Sequence, residues 1–350
     1  MSSIVRTVLR DVSPQNLGHT LPHEHLALDC THLYRKPPQL IAAKFNSKFD
    51  CEAIGYTRQY PYSHKNNLVL NDKSANQAVL KDIYNYRNNG GGTIVENTTE
   101  GLDRDVRFYE TVMRNTDVNI VAGTGFYIAD MQSMNHLLCK KEDLYNHMLT
   151  ELTEGCEGYR FVKAGFIGEI ASVWPIRDFE RKAILAAGEV QAQVGCGVSF
   201  HPHHVTEAPF EIMRLYMEAG GKIDKAVMSH LDRTLLDPAK LLEFSELGAY
   251  CQFDMFGTEV SYYQLDIDID MPSDAQRLNM ICHLLEEGKA DRILMSHDIH
   301  TKHRLIEYGG HGYSHILTNI IPRMKYKGIP QNIINKITID NPAQWLCIPN

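Results

Sequence analysis

The chain has 350 residues, enough for one large α/β barrel or two ordinary domains. Its net charge of −8 (35 basic against 43 acidic residues) and the lack of any long Lys/Arg run argue against a nucleic-acid surface. No apolar stretch approaches the ~18 residues needed to cross a bilayer, and the opening MSSIVRTVLRD lacks the apolar core of a signal peptide.

The hydrophobic fraction, 43%, is that of an ordinary globular protein. Eight cysteines, at 30, 51, 139, 156, 196, 251, 282 and 347, are scattered without a C-x-x-C pair. They read as reduced thiols of a cytosolic protein, not as a disulfide framework or a zinc knuckle. Histidine stands out, with 17 copies, many at the ends of apolar runs.

In chain order, eight β-rich runs alternate with helical segments: 17–26, 92–99, 118–126, 161–170, 197–203, 225–232, 249–257 and 292–298. GGGT at 90–93 precedes a strand, whereas a phosphate loop follows one, so these glycines read as a turn. Between strands four and five, Ile184, Ala187, Val190 and Val194 recur at helical steps within 178–194. Before strand eight, Ser273 with Gln276 three residues on forms a capping box, and Gly288 supplies a stop. Residues 27–75 interrupt the rhythm with a polar, aromatic, Pro-containing insertion after strand one, read either as a surface excursion or as a lid or substrate wall. The tail, 313–347, reads as helical with breaks at Pro330 and Pro342. The expectation is a single α/β domain over residues 1–350, a TIM (β/α)8 barrel with a long insertion after strand 1; a doubly wound open sheet is the alternative.

Alternate residues of a strand share a face, so His23 and His25 of PHEH point one way and Glu24 the other. A lone H-x-H is often a hydrogen-bonded core pair. Here other strand ends add His201 (SFHPH), His230 (VMSHLD), His297 and Asp298 (MSHD), and Glu169, which closes the otherwise small and apolar stretch KAGFIGEI. A carboxylate ending a buried strand is costly unless a cation meets it. Imidazoles and carboxylates from five strand ends on one barrel face suit zinc or a similar divalent ion, and their number suits two ions with a bridging carboxylate. Spacing alone leaves His203 and His204 competing with His201, and His297 mimicking His230.

The motifs LPHEHL, KAGFIGEI, SFHPH, MSHLDR, SHDIHTKHR and YGGHGYSHILTN resemble the phosphotriesterase family of the amidohydrolase superfamily, and within it the phosphotriesterase-related group of animals. The resemblance runs nearly the whole chain. It implies His23, His25 and Asp298 on one metal ion, His201 and His230 on a second, and Glu169 between them, the ions being Zn2+ by preference. It selects Asp298 over His297 and His201 over His203. Bacterial phosphotriesterases place a carboxylated lysine where this chain has Glu169, and a proton-relaying histidine where it has Met255. Asp232 and Asp254 remain as relay or supporting carboxylates or, equally, as structural ones.

The implied chemistry is amide hydrolysis of small N-acyl amino acids, with N-acetyltaurine the leading case and Asp298 the catalytic proton carrier. Lactone or phosphotriester hydrolysis at the same metals, or a metal-binding barrel without turnover, are the alternatives. An anionic substrate tail calls for a cationic partner, with Arg233, Lys302, Arg304 and the 62–64 stretch as candidates. The partners expected are this small molecule and, as an open alternative to a monomer, a second copy in a homodimer, with neither nucleic acid nor membrane among them. The cytosol is the expected location.

Overall fold

The alternation of apolar runs and helices does produce a parallel sheet. The computed structural model describes residues 3–46 and 49–349. Its eight barrel strands are β1 (His19–Glu24), β2 (Gly91–Glu96), β3 (Asn119–Thr124), β4 (Phe166–Ala171), β5 (Val198–His201), β6 (Ala226–Met228), β7 (Tyr250–Phe253) and β8 (Ile293–Met295). Each pairs in parallel with the next along the chain, from β1 to β8. The two end strands meet as well. The Asp298 N–H donates to the His23 carbonyl at 3.2 Å and the His23 N–H to Ser296 Oγ at 3.1 Å, so the barrel is nearly closed. Strands covered on both faces must be apolar throughout, and β3 and β4 are buried at every position.

Helices form where the periodicity and caps place them. Asp178–Val194 matches its expected span and ends at Gly195 with φ +76°, the left-handed cap that glycine adopts without a Cβ penalty. Asp274–Glu286 begins at the Ser273–Gln276 capping box.

Three expectations shift. The fourth strand starts at Phe166, later than the apolar run from 161. Gly91 and Gly92 belong to β2 and are not turn residues: a Cβ on Gly92 would lie 2.1 Å from the Leu17 carbonyl oxygen, so only glycine lets the two backbones approach. In the tail, Pro330 does precede a new helix, but Pro342 breaks nothing. It sits in the first turn of Asn341–Leu346, just after a π-helical turn, Lys336–Asp340. A wider turn relieves the clash a proline ring makes with the carbonyl four residues back. The same device, Ile316–Ile320, precedes Pro322.

The insertion after β1 is no mere excursion. Its short helices, Thr31–Leu33, Gln39–Asn46, Cys51–Gln59, Pro61–Ser63 and Lys65–Leu68, bring Leu28, Cys30, Leu33, Arg35 and Tyr62 to a cavity over the C-terminal ends of the strands. All eight cysteines are free thiols.

Candidate metal centre

The strand ends deliver their side chains as the two-residue period requires. His23 and His25 turn into the barrel mouth. Glu24 turns away and accepts hydrogen bonds from Ser296 Oγ at 2.8 Å, the His297 N–H at 2.9 Å and the Ile299 N–H at 2.9 Å. One carboxylate thus ties β1 to the segment after β8 and brackets Asp298. His230 and Asp298 both adopt left-handed backbone, with φ 58° and 55°. This costs a non-glycine residue on the order of 1 kcal/mol or more, and such strain gathers at functional sites. The surroundings hold it: the His230 N–H donates to the Asp254 carboxylate at 3.1 Å, and Asp298 is held by its bond to the His23 carbonyl.

Six side chains converge. His23 Nε2 lies 3.5 Å from Glu169 Oε2 and 3.6 Å from Asp298 Oδ1. His25 Nε2 lies 3.2 Å from Asp298 Oδ1 and 3.6 Å from Glu169 Oε1. On the other side, His201 Nδ1 is 2.9 Å from Glu169 Oε2 and 2.9 Å from His230 Nε2. Glu169 Oε1 thus faces His25, while Oε2 stands between His201 and His23. Two overlapping groups, His23–Glu169–His230 and His23–His25–Asp298, each place three ligand atoms within 4.8 Å of one another, all on buried residues.

The electrostatics are those of a site prepared for cations. Burial opposes charge on Glu169, yet His201 and His23 beside it hold its carboxyl well below the usual range. Burial likewise opposes ionisation of Asp298. The charge of His300 and hydrogen bonds from His25 and His300 outweigh it and keep this carboxyl low as well. Burial also resists a proton on His25, but the Asp298 hydrogen bond and the Glu169 charge raise it to about 9. Against the same burial, Asp254 raises His230 to about 10. His201, largely desolvated and beside His230, falls to about 4.

The far side of each imidazole is also fixed. His23 Nδ1 lies 3.1 Å from Ser229 Oγ and 3.2 Å from Gln252 Nε2; His25 Nδ1 lies 2.9 Å from Thr98 Oγ1; His230 Nδ1 lies 2.6 Å from Asp254 Oδ1. Such outer partners orient metal-ligating histidines and set their tautomers. A divalent metal fits these residues. The donors are imidazole nitrogens and carboxylate oxygens, and the buried Nε2 of His23, aimed into the cluster, has no hydrogen-bond partner of its own.

The competing candidates fall elsewhere. His297 binds the Glu24 carboxylate through Nδ1 at 2.8 Å and accepts the Ile316 N–H at Nε2, so it is a strut beneath the site. His204 pairs with Asp266, and the His203 ring packs on His204. Asp254 supports His230, whereas Asp232 accepts from Arg277 Nε at 2.9 Å and is structural. The sequence reading passed over Thr98, Ser229, Gln252 and His300. Only His300, two residues past Asp298, carried a signal in spacing; its Nδ1 lies 3.2 Å from Asp298 Oδ2 and its Nε2 lies 2.9 Å from the Tyr62 hydroxyl.

A cavity of about 320 Å³ opens over the cluster, with His25, Glu169, His201 and Asp298 on its floor and Tyr62, Tyr127, Arg233, Met255 and Tyr263 on its walls. Residues 3–346 match the sequence profile of the phosphotriesterase family. The chain belongs to the phosphotriesterase family. This family member is 52% identical to the phosphotriesterase-related protein of Drosophila sechellia over 345 residues, 98% of this chain and 99% of that relative. Among solved structures it is similar to a resiniferatoxin-binding protein from Rhodobacter sphaeroides, with TM-score 0.93 and 27% identity over 98% of this chain and 94% of the other. It is also similar to a mutant organophosphorus hydrolase from Deinococcus radiodurans, with TM-score 0.75 and 26% identity over 98% and 97%. As a phosphotriesterase-family protein it is a metal-dependent hydrolase, built on an eight-stranded parallel α/β barrel with residues that could bind a metal centre. Among the described residues, no helix is long and apolar enough to cross a membrane.

Proposed function

We propose that the chain hydrolyses the amide bond of small N-acyl amino acids, N-acetyltaurine first among them, at a centre of two divalent ions, zinc by preference. In this reading His23, His25 and Asp298 hold one ion, His201 and His230 the other, and Glu169 bridges. The observation that carries it is the pair of overlapping three-residue groups that share His23 beneath one cavity. When bound, the ions supply electrophilic activation of a carbonyl and of water at near-neutral pH.

The chain's own residues do the rest. The imidazoles and Glu169 hold the reacting groups at the barrel mouth, and the buried floor limits bulk water. Asp298 reaches the cavity with one oxygen, Oδ1, toward His23 and His25 and the other, Oδ2, toward His300. A carboxylate so placed takes a proton from water at one oxygen and delivers it to the departing nitrogen. An amine is a poor leaving group until it is protonated. An aryl phosphotriester releases a leaving group that needs no such proton, so an acid at this position serves amide cleavage in particular. Met255, buried in the cavity wall, offers no second proton carrier there.

The similarity to the Deinococcus organophosphorus hydrolase supports one second reading, a phosphotriesterase at the same centre. A single metal-loaded preparation decides between them. We expect kcat/KM for N-acetyltaurine or a short N-acetyl amino acid to exceed that for a simple lactone and an aryl phosphotriester. A clear preference for lactone or phosphotriester rejects the amidase reading and leaves the metal centre standing.

A further inference from the structure

The protein matches its other deeply buried arginines with acceptors. Arg277, whose Nη2 has no partner, still meets Asp232 at 2.9 Å and Asp274 at 3.1 Å. Arg104 meets Glu151 at 2.6 Å and Glu100 at 3.2 Å. Arg304 donates to the backbone carbonyls of Asp298, Phe256 and His297 and, through Nε, to His311. Lys302, a further candidate cation, is bonded to Asp72. Arg233 is different. It is 3% exposed, lines the cavity over the metal centre, and among the described residues has no carboxylate oxygen within 4.0 Å. Its Nη1 has no hydrogen-bond partner, and its Nη2 donates to His201 Nε2 at 3.1 Å.

That one acceptor is conditional. His201 points Nδ1 into the cluster, and a neutral imidazole that ligates an ion through Nδ1 carries its hydrogen on Nε2. In the metal-loaded protein Arg233 then faces an N–H, and both ends of its fork lack an acceptor. A buried guanidinium in that state is costly unless a ligand supplies the negative charge. The neighbouring rim carboxylates are engaged elsewhere, Asp266 with His204 and Asp130 with Arg177. The Arg233 guanidinium also lies 5.9 Å from the centre of the Tyr263 ring, which limits its swing.

We propose that Arg233 is the specificity-determining anion receptor of the cavity, taking the carboxylate or sulfonate of the substrate by a forked hydrogen bond. The inference rests on the amide-hydrolase reading for its substrate, but not for the existence of the anion site. Its placement limits the substrate further. Arg233 and Glu169 touch opposite nitrogens of one imidazole, His201. The anion therefore stands two or three bonds from the scissile nitrogen, as in an N-acyl α-amino acid, β-amino acid or aminoethanesulfonate, and long spacers are excluded. Planar, bidentate recognition of this kind requires arginine and is only partly replaced by lysine.

Two readouts test it on the metal-loaded full chain. Calorimetry with propane-1-sulfonate, set against neutral propionamide, reports anion binding without turnover. Kinetics with N-acetyl-β-alanine and its methyl ester report the same preference during turnover. We expect R233M to keep the wild-type metal content and lose at least about 30-fold in sulfonate affinity, with the acid-over-ester ratio in kcat/KM collapsing toward one. R233K should recover part of both. Should R233M not fold, R233K carries the test, with an acid-over-ester preference lowered about tenfold. Wild-type sulfonate affinity in R233M, an unchanged ratio in either variant, or loss of metal alongside R233M would overturn the proposal, the last by making Arg233 a support for His201. If neither acid nor ester is hydrolysed by the wild type while R233M still loses the sulfonate, the amidase reading fails and the anion site stands.

Discussion

The two ends of the barrel are built on opposite principles. The end opposite the metal cluster is closed by residues 4–12 and 345–348. The segments Val5–Arg6 and Asp11–Val12 pair there, and Ile4 and Ile348 exchange backbone hydrogen bonds at 3.1 and 2.8 Å. Val5, Leu17, Phe166, Val227, Tyr250, Trp345 and Leu346 form a core with no exposed surface, in which Trp345 packs edge-on to Phe166 at 5.5 Å. A Cβ on Gly197 would lie 2.5 Å from Trp345 Nε1, so the ring fills its space completely. Lys225 Nζ seals the last helix, donating to the carbonyls of Gln344 at 2.8 Å and Cys347 at 2.7 Å. The other end buries His23, His25, Glu169, His230, Asp254 and Asp298, groups that oppose folding unless each is matched. Apolar packing dominates one end, and buried charge that must be matched gathers at the other.

Substitutions should separate the two ends. The largest effect belongs to Asp298→Asn, which keeps the shape and removes the proton carrier. Hydrolysis should fall by about 10²–10⁴-fold, or further if a metal is lost with it. The thermal midpoint of the metal-free protein should fall only modestly, because the lost pairing with His25 and His300 is offset in part by removal of a buried charge. A large drop in that midpoint would mean that the mouth also carries the fold.

Trp345→Ala is the reverse case. A fully buried indole removed from a tight core should cost about 3–5 kcal/mol in denaturant unfolding. Metal content and kcat should stay near wild type at temperatures where the variant is folded. Loss of metal from this folded variant would show that the ends are coupled.

The smallest effect concerns protons. In the metal-free protein His25, raised to about 9, and His230, raised to about 10, both carry a charge at pH 7.5. Because their folded values lie above the ordinary histidine value, their contribution to stability is complete below about pH 6.5 and is lost as pH rises through 9 to 10. Ligation needs both imidazoles neutral, so loading at pH 7.5 should release about two protons per chain. Calorimetry in buffers of different ionisation enthalpy counts them, and no proton release would mean that these histidines do not titrate with metal. The metal-free protein should also unfold more readily at pH 10 than at pH 8.

Much of this was legible in the sequence because it follows from short-range rules. Period-two alternation put His23 and His25 on one side and Glu24 on the other, and apolar runs ending in His, Asp or Glu marked the mouth. The Ser273–Gln276 box and Gly288 placed the two ends of one helix within a few residues of chain. What was not legible depends on residues far apart in sequence. Thr98, Ser229 and Gln252 matter only because the barrel brings them behind His25 and His23. Arg233 could not be told from Lys302 or Arg304 until the structure showed which cations already had partners. Pro342 was misread because nothing local announces the π turn that accommodates it. Gly92 looked like a turn glycine because the Leu17 carbonyl that requires it lies in another strand's approach.

The measurement that bears most directly on the account is elemental analysis of chelator-free, metal-reconstituted protein. The account predicts about two divalent ions per chain. It also predicts a fall toward about one in His201→Ala or His230→Ala, with the remaining ion held by His23, His25 and Asp298. A wild-type content of one ion or none after reconstitution contradicts it.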